Sequence, residues 1–334
     1  MRAVLHRGLL QSLQSRQLNT SAVVMASSEI LERVTRLVQE QRLVSGQQDP
    51  SKPVVSFQHP TALAQLLPLA IARSGVSDEE LERIGQQVVD LSVKTCHPYF
   101  YNQLYHGVDE YGLAGSWLSD ALNTNIHTFE VAPAFIMIEH HLLAYIRRLF
   151  GWGEAGDGIF SPGGSLSNMY GMMLARHHKF PQIKTAGLTG LAGPLVCFTS
   201  EESHYSIVKG ANWLGLGVDN VVKVGTDAGG RMLPESLDQA ITDATDQGKL
   251  PFFVNATSGS TVLGAYDDLT ALALVCSKHQ VWLHVDACWG GSAILSSRHR
   301  HLMSGSHLVD SIAWNPHKMV GAPLQASPLI GTKH

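Results

Sequence analysis

Val281-Trp282-Leu283-His284-Val285-Asp286-Ala287-Cys288-Trp289-Gly290-Gly291 reads as a buried strand that ends on an acid and a glycine pair. It is the most apolar strand-like run in the chain, and it is apolar on both faces. That is how a strand reads when helices cover it on either side. The same pattern recurs around it. Segments 195–199, 221–224, 252–256 and 311–314 read as strands, and 203–213, 234–247 and 268–279 fill the gaps as helices. Alternating strands and helices predict an α/β fold, a mostly parallel sheet covered by helices. Ligands in such sheets sit beyond the carboxyl ends of the strands.

Outward from this block the pattern changes. Residues 151–334 carry the alternation, whereas 29–150 are helical in pattern. Ser77-Asp78-Glu79-Glu80 has the form of a capped helix start, and 134–150 reads as a long helix stopped by Gly151. Glu29 opens an amphipathic segment with Ile30, Val34 and Leu37 on one side. Residues 1–28 hold Arg2, Arg7 and Arg16 but no acid, with Leu5, Leu9, Leu10 and Leu13 on one helical face. That composition suits a mitochondrial transit peptide or a leader that targets nothing, so the expected compartment is the cytoplasm or the mitochondrial matrix.

The chain has 334 residues, 44% hydrophobic and 16% charged, enough apolar content to bury a core and too much for wholesale disorder. A net charge of -4 gives no basic field, so nucleic acid is not an expected partner. No apolar stretch approaches the roughly 20 residues of a membrane helix. The four cysteines, Cys96, Cys197, Cys276 and Cys288, form no CxxC, which argues against a disulfide framework or a zinc site. The 17 histidines include the adjacent pairs His140-His141 and His177-His178, but neighbours in a helix do not face one another, and no metal site is expected.

Three nucleotide or hydrolase motifs are absent. Gly215-Leu216-Gly217 begins a GxGxxG that Asn220 breaks; there is no GxxxxGK[ST]; and Ser167 stands where a nucleophile elbow closes on Gly. Ser161-Pro162-Gly163-Gly164-Ser165-Leu166-Ser167-Asn168 is instead a Gly-rich turn feeding a helix, either a plain cap or a phosphate cradle. Asp286 is a costly burial unless a cation meets it, from elsewhere in the fold or from a ligand. Lys318 follows the 311–314 strand through Asn315-Pro316-His317, as a solvated loop lysine or as an amine for a carbonyl group. His204 lies just past another strand end, as a capping or surface residue or as an aromatic face. Taken together, a phosphate, a basic ring nitrogen, an aromatic face and an aldehyde describe pyridoxal phosphate.

These residues sit in motifs with a family likeness. HPYFYNQL (97–104), ALNTNIHTFEVAP (121–133), GDGIFSPGGSLSNMY (156–170), SHYSIVKGA (203–211), TSGSTVLGAYD (257–267), WLHVDACWGG (282–291) and WNPHK (314–318) occur in order. The chain resembles the group II pyridoxal-phosphate decarboxylases, in the branch that acts on acidic amino acids, from about Val54 to Gln325. The resemblance implies a fold-type-I enzyme like aspartate aminotransferase, with pyridoxal 5'-phosphate as cofactor and a homodimer in the complete form. It implies Lys318 as the Schiff-base lysine, Asp286 at the ring nitrogen and His204 on the ring face. Ser165, Leu166, Ser167, Asn315 and His317 fall around the phosphate, and Thr261 near the leaving carboxylate. Gln103, Leu104 and Tyr105 line the pocket for the distal acid.

The implied reaction is α-decarboxylation of an acidic amino acid. Tyr105 stands where glutamate decarboxylases have a small residue and cysteine sulfinate or aspartate decarboxylases an aromatic, which favours the shorter substrates. Gly112–Leu118 and Asn123-Thr124-Asn125 resemble the glutamate enzymes, which make 4-aminobutanoate. Cys288 replaces a usual alanine beneath the ring. Family members continue beyond Lys318 with a small C-terminal domain, a mobile loop and a substrate arginine, so a shortened, non-catalytic relative is also an expectation. Ile330–His334 does not look like family sequence, and Pro323 and Pro328 sit badly in the next strand.

Overall fold

The computed structural model describes residues 29–44, 48–71, 73–102, 104–154 and 156–332. The leader at 1–28 and Gln103 lie outside the described residues. Two compact units divide the chain: residues 1–102 with 106–111, and residues 103–105 with 112–334.

In the first unit, α1 (29–40) is followed by α2 (Pro60–Leu66) and α3 (Asp78–Leu91). Ser77 caps α3 by accepting the Glu80 amide N–H, and Asp78, Glu79 and Glu80 occupy its first turn. Arg33 on α1 ties the two helices together. It donates to Glu29 at 2.8 Å, Glu79 at 3.1 Å and Glu82 at 2.6 Å, and those carboxylates raise its pKa.

The second unit is built on one sheet. Its elements are α4 (Glu110–Leu122, whose first two residues belong to the first unit), α5 (Pro133–Leu149), β1 (Asp157–Phe160), α6 (Gly164–Lys179), α7 (Ile183–Ala186) and β2 (Leu195–Ser200). Then come α8 (Ser206–Trp213), β3 (Val221–Val224), α9 (Pro234–Asp246), β4 (Leu250–Thr257), α10 (Leu269–His279), β5 (Trp282–Ala287), β6 (Ser311–Trp314) and β7 (Pro328–Gly331). The seven strands among the described residues lie in the order β1-β7-β6-β5-β4-β2-β3. Neighbours from β3 to β6 pair in parallel, and β7 runs antiparallel to both β6 and β1. The sheet is therefore mostly parallel and helix-covered, as the sequence pattern predicts.

Strand alternation sorts the core into two sides. Val196, Phe198, Val254, Leu283, Val285 and Ile312 pack with Phe150 and with Leu237, Ile241, Leu269 and Leu272 of α9 and α10. Cys197, Phe253 and Trp282 face the other way, onto Met172 and Ala175 of α6 and Ile207 of α8. Each buried Leu, Ile or Phe contributes roughly 1.5–3 kcal/mol relative to exposure.

The C-terminal end corrects the reading from sequence. Pro328 opens β7 rather than interrupting it, a position that needs no ladder hydrogen bond from the missing N–H. Leu329 and Ile330 are then buried in the sheet, paired to Ala313 and Ile312. Pro323 lies in the loop before the strand. No helix among the described residues is long and apolar enough to cross a membrane, and no three His, Cys, Asp or Glu side chains among them are grouped to hold a metal. The four cysteines are free and buried.

Candidate active site

Four parallel strands end around one cavity of about 230 Å³. Tyr205 and His204 come from the segment after β2. Thr257, Gly259 and Thr261 close β4 and the turn beyond it. Asp286, Cys288 and Trp289 come from the end of β5, and Asn315, His317 and Lys318 from the exit of β6. Gly164, Ser165 and Asn168 enter from the first turns of α6. This is the crevice that a parallel sheet offers a ligand.

Asp286 is only 7% exposed. Its carboxylate accepts from the Asn168 side-chain amide at 2.8 Å and from the Cys288 backbone N–H at 3.1 Å. Among the described residues no Lys or Arg forms an ion pair with it. A buried carboxylate served by two neutral donors and open to a cavity is arranged for a cationic ligand group.

The cavity wall at Gly164 is cut for a close approach. A Cβ added at Gly164 would lie 2.5 Å from the Cys288 thiol and 2.8 Å from the Asn315 amide nitrogen, so only glycine fits. Asn315 Oδ1 and Thr257 Oγ1 are buried without a hydrogen-bond partner. Such orphans are rare in a folded protein, and both residues line the cavity. Lys318 is half-buried, with its backbone N–H turned back onto the Asn315 carbonyl at 3.0 Å. His317 is tied through Nδ1 to the Ala326 carbonyl at 2.7 Å, and burial lowers its pKa.

His204 presents an uncharged ring. Burial pushes its pKa down; Lys318 and Lys209 push the same way, while Asp286 opposes them. Its Nδ1 accepts the Ser206 N–H at 3.2 Å, and its ring packs 4.1 Å from that of Tyr205. Burial raises the Cys288 thiol well above its ordinary pKa, with Asp286 acting in the same direction, so it stays protonated.

The cavity thus gathers Lys318, Asp286, His204, Thr261, Ser165, Cys288, Asn315 and His317. Leu166 and Ser167 are not among the lining residues. The Ser167 hydroxyl lies under the turn, 2.6 Å from the Ser161 hydroxyl and 3.4 Å from the Ser327 carbonyl. Leu104 and Tyr105 do not line it either. Sequence reasoning assigned no role to Asn168, Trp289, Tyr205 or Thr257. Asn168 could have been found as the residue one helical turn beyond Gly164. Thr257 could have been found as the last residue of a strand next to Asp286.

Behind Asp286, burial pushes the His284 imidazole down to about 4. An unfolded histidine titrates near 6.5. As the pH falls from about 6.5 to about 4, the unfolded chain binds a proton that the folded one refuses. Stability is therefore lost across that window, by up to about 3 kcal/mol. Asp267, pushed up to about 6 by burial, acts oppositely, and does so in any variant that keeps it. Urea unfolding at pH 4 and pH 7 should show a smaller acid loss for His284→Gln than for the parent. An identical acid loss would contradict a neutral His284.

Comparison with known proteins gives the same answer as the geometry. The pyridoxal-dependent decarboxylase conserved domain matches residues 60–333, so residues 330–333 lie inside the family match, contrary to their appearance in sequence. Mouse cysteine sulfinic acid decarboxylase is 47% identical over 306 residues, covering 92% of this chain and 62% of that protein. Mouse acidic amino acid decarboxylase GADL1 is 48% identical over 307 residues, covering 92% of this chain and 55% of that one. The crystal structure of the mouse cysteine sulfinic acid decarboxylase superposes with a TM-score of 0.89 at 46% identity, covering 93% of this chain and 65% of that one. The chain thus spans somewhat more than half the length of these relatives. With a cavity that joins an amine, an unpaired buried acid and a glycine-lined cradle, the chain belongs to the pyridoxal-dependent decarboxylase family.

Proposed function

We propose that the chain catalyses pyridoxal-phosphate-dependent α-decarboxylation of an acidic amino acid. The observation that carries this reading is that Asp286, buried without a cation, opens onto the same cavity as the Lys318 amine. The residues present fit the cofactor: the lining holds an orphaned Asn315 oxygen, the cradle cleared by Gly164, and Asp286. Ser165, Asn315 and His317 would hold the phosphate, and Lys318 the aldehyde carbon. Asp286 would keep a proton on the ring nitrogen, and the uncharged His204 would cover one ring face. When bound, pyridoxal phosphate supplies an electron sink for the pair left behind as carbon dioxide departs.

Cysteine sulfinate and aspartate are the favoured substrates and glutamate the alternative. Two of the relatives are named for acidic substrates, and the family resemblance, rather than the lining of the cavity described above, puts the Tyr105 ring at the distal acid. One methylene is worth about 1–3 kcal/mol, or roughly 10- to 200-fold, so the preference is a bias. Incubation with pyridoxal phosphate and equal amounts of the three acids should release carbon dioxide and amine, mostly from the two shorter ones. Tyr105→Ser should move the ratio toward glutamate. Keto-acid product would point to transamination and sink the reaction; an unchanged ratio would remove Tyr105 as the selector.

The active form is a homodimer on this reading. Support comes from apolar side chains exposed on α4 and α5, among them Leu118, Leu122, Met137, Ile138 and Tyr145. Sedimentation as a monomer at micromolar concentration would refute it.

A further inference from the structure

Trp282, His284 and Asp286 alternate along β5 and so project from one face of the sheet, toward α6. Ser311 on β6 is the register partner of His284, and Asn168 lies on α6. Four hydrogen bonds join them. Trp282 Nε1–H donates to the Ser311 hydroxyl at 2.8 Å. The Ser311 hydroxyl lies 2.8 Å from His284 Nδ1, and His284 Nε2 lies 3.0 Å from Asn168 Oδ1. The Asn168 amide nitrogen donates to Asp286 at 2.8 Å and to the Ser206 hydroxyl at 2.9 Å.

Only one arrangement of protons satisfies every member. A carboxylate accepts, so Asn168 must turn its NH₂ to Asp286 and its oxygen to His284. His284 must then carry its proton on Nε2. Its bare Nδ1 must accept from Ser311, whose oxygen is free to accept from the indole. All four donors point the same way and end on Asp286. The imidazole is fully buried and uncharged, and stacks on Phe253 at 5.5 Å. Space for it is reserved in α6: a Cβ at Gly171 would lie 2.6 Å from His284 Nδ1. A hydrogen-bond chain of this polarity strengthens each successive donor.

We propose that His284 is a positioning residue, which through Asn168 orients the Asp286 carboxylate toward the ring nitrogen of bound pyridoxal phosphate. The inference rests on the cofactor site proposed above. Without the Nε2 proton, nothing on β5 stops Asn168 from flipping and setting its oxygen against the acid. The ring nitrogen then meets a carboxylate that is no longer held in one orientation.

The test compares pyridoxal phosphate with its carbocyclic analogue, in which C–H replaces the ring nitrogen, by direct binding titration to the 334-residue chain. The parent should prefer the natural cofactor. His284→Leu, which removes the donor, should shrink that preference at least about tenfold by weakening pyridoxal phosphate alone. His284→Gln keeps an N–H for Asn168 and should retain the preference to within about threefold. Equal weakening of both ligands in the leucine variant would mean a merely structural role and overturn the proposal, as would an unchanged preference. Nitrogen-15 spectra of the parent should show the proton on Nε2 of His284 at pH 7, a readout independent of any variant; protonation at Nδ1 would also overturn it. Failure of the parent to bind pyridoxal phosphate at all would instead remove the cofactor site, and this inference with it.

Discussion

Borohydride reduction of the chain mixed with pyridoxal phosphate should leave the cofactor attached to the peptide that contains Lys318, and Lys318→Ala should retain none. The reason is positional. Lys318 lines the cavity at the exit of β6, and among the described residues no other lysine does; Lys209 sits outside, over the Tyr205 ring at 4.3 Å. A carbonyl carbon captured in the cavity meets that amine first. Removing it should bring turnover to the assay background while leaving the fold intact, because the half-buried side chain is in none of the salt bridges among the described residues. Peptide mapping after reduction reads the outcome. Attachment at Lys209 or Lys223 would overturn the assignment.

Asp286→Asn should separate catalysis from folding. The amide can still accept the Cys288 N–H, but it turns an NH₂ group toward Asn168 or toward the cavity. One lost hydrogen bond at a buried site costs about 1–3 kcal/mol of stability, small enough for the chain to remain folded. The chemical loss is larger. A neutral amide does not keep a proton on a pyridine nitrogen, and removing one preorganised electrostatic partner lowers turnover by about 10²–10³-fold. Carbon dioxide release and thermal unfolding on the same preparation measure the two effects. Turnover close to the parent's would take Asp286 out of the mechanism.

The parts of this fold legible in sequence are those where burial leaves a mark on composition. β2, β4, β5 and β6 are buried along almost their whole length, so they read as predominantly apolar runs. Asp286 and Asn315 stand out as polar residues at or just past the ends of those runs. β1 carries no such mark: Asp-Gly-Ile-Phe is four residues long and half-exposed in alternation. β7 is masked by the proline at its head.

The site divides along the same line. Residues displayed by a strand end could be picked out one at a time. Residues displayed by a helix depend on its phase. On α6 the cavity side is Gly164, Ser165 and Asn168, while the intervening Leu166 and Ser167 turn away, and nothing in Gly-Gly-Ser-Leu-Ser-Asn states which side will face inward. His284 was invisible for another reason. A buried histidine between two apolar residues is explained only by its partners, and those lie on β6 and α6, far away in sequence.

The placement of β7 bears on how the sheet is completed. β1 is made early, yet among the described residues its only ladder partner is β7, whose first residue, Pro328, pairs with Phe160. While the chain is being synthesised, the parallel part of the sheet can assemble as each strand emerges, but β1 waits until β7 has been added. Its contact closes one of the longest loops in the molecule, the kind of non-local pairing whose entropic cost is met late in folding. Until then, β6 stands as an open edge with buried-type side chains and free backbone groups, able to pair with another chain. Of the described strands, the one made latest is the one that seals it.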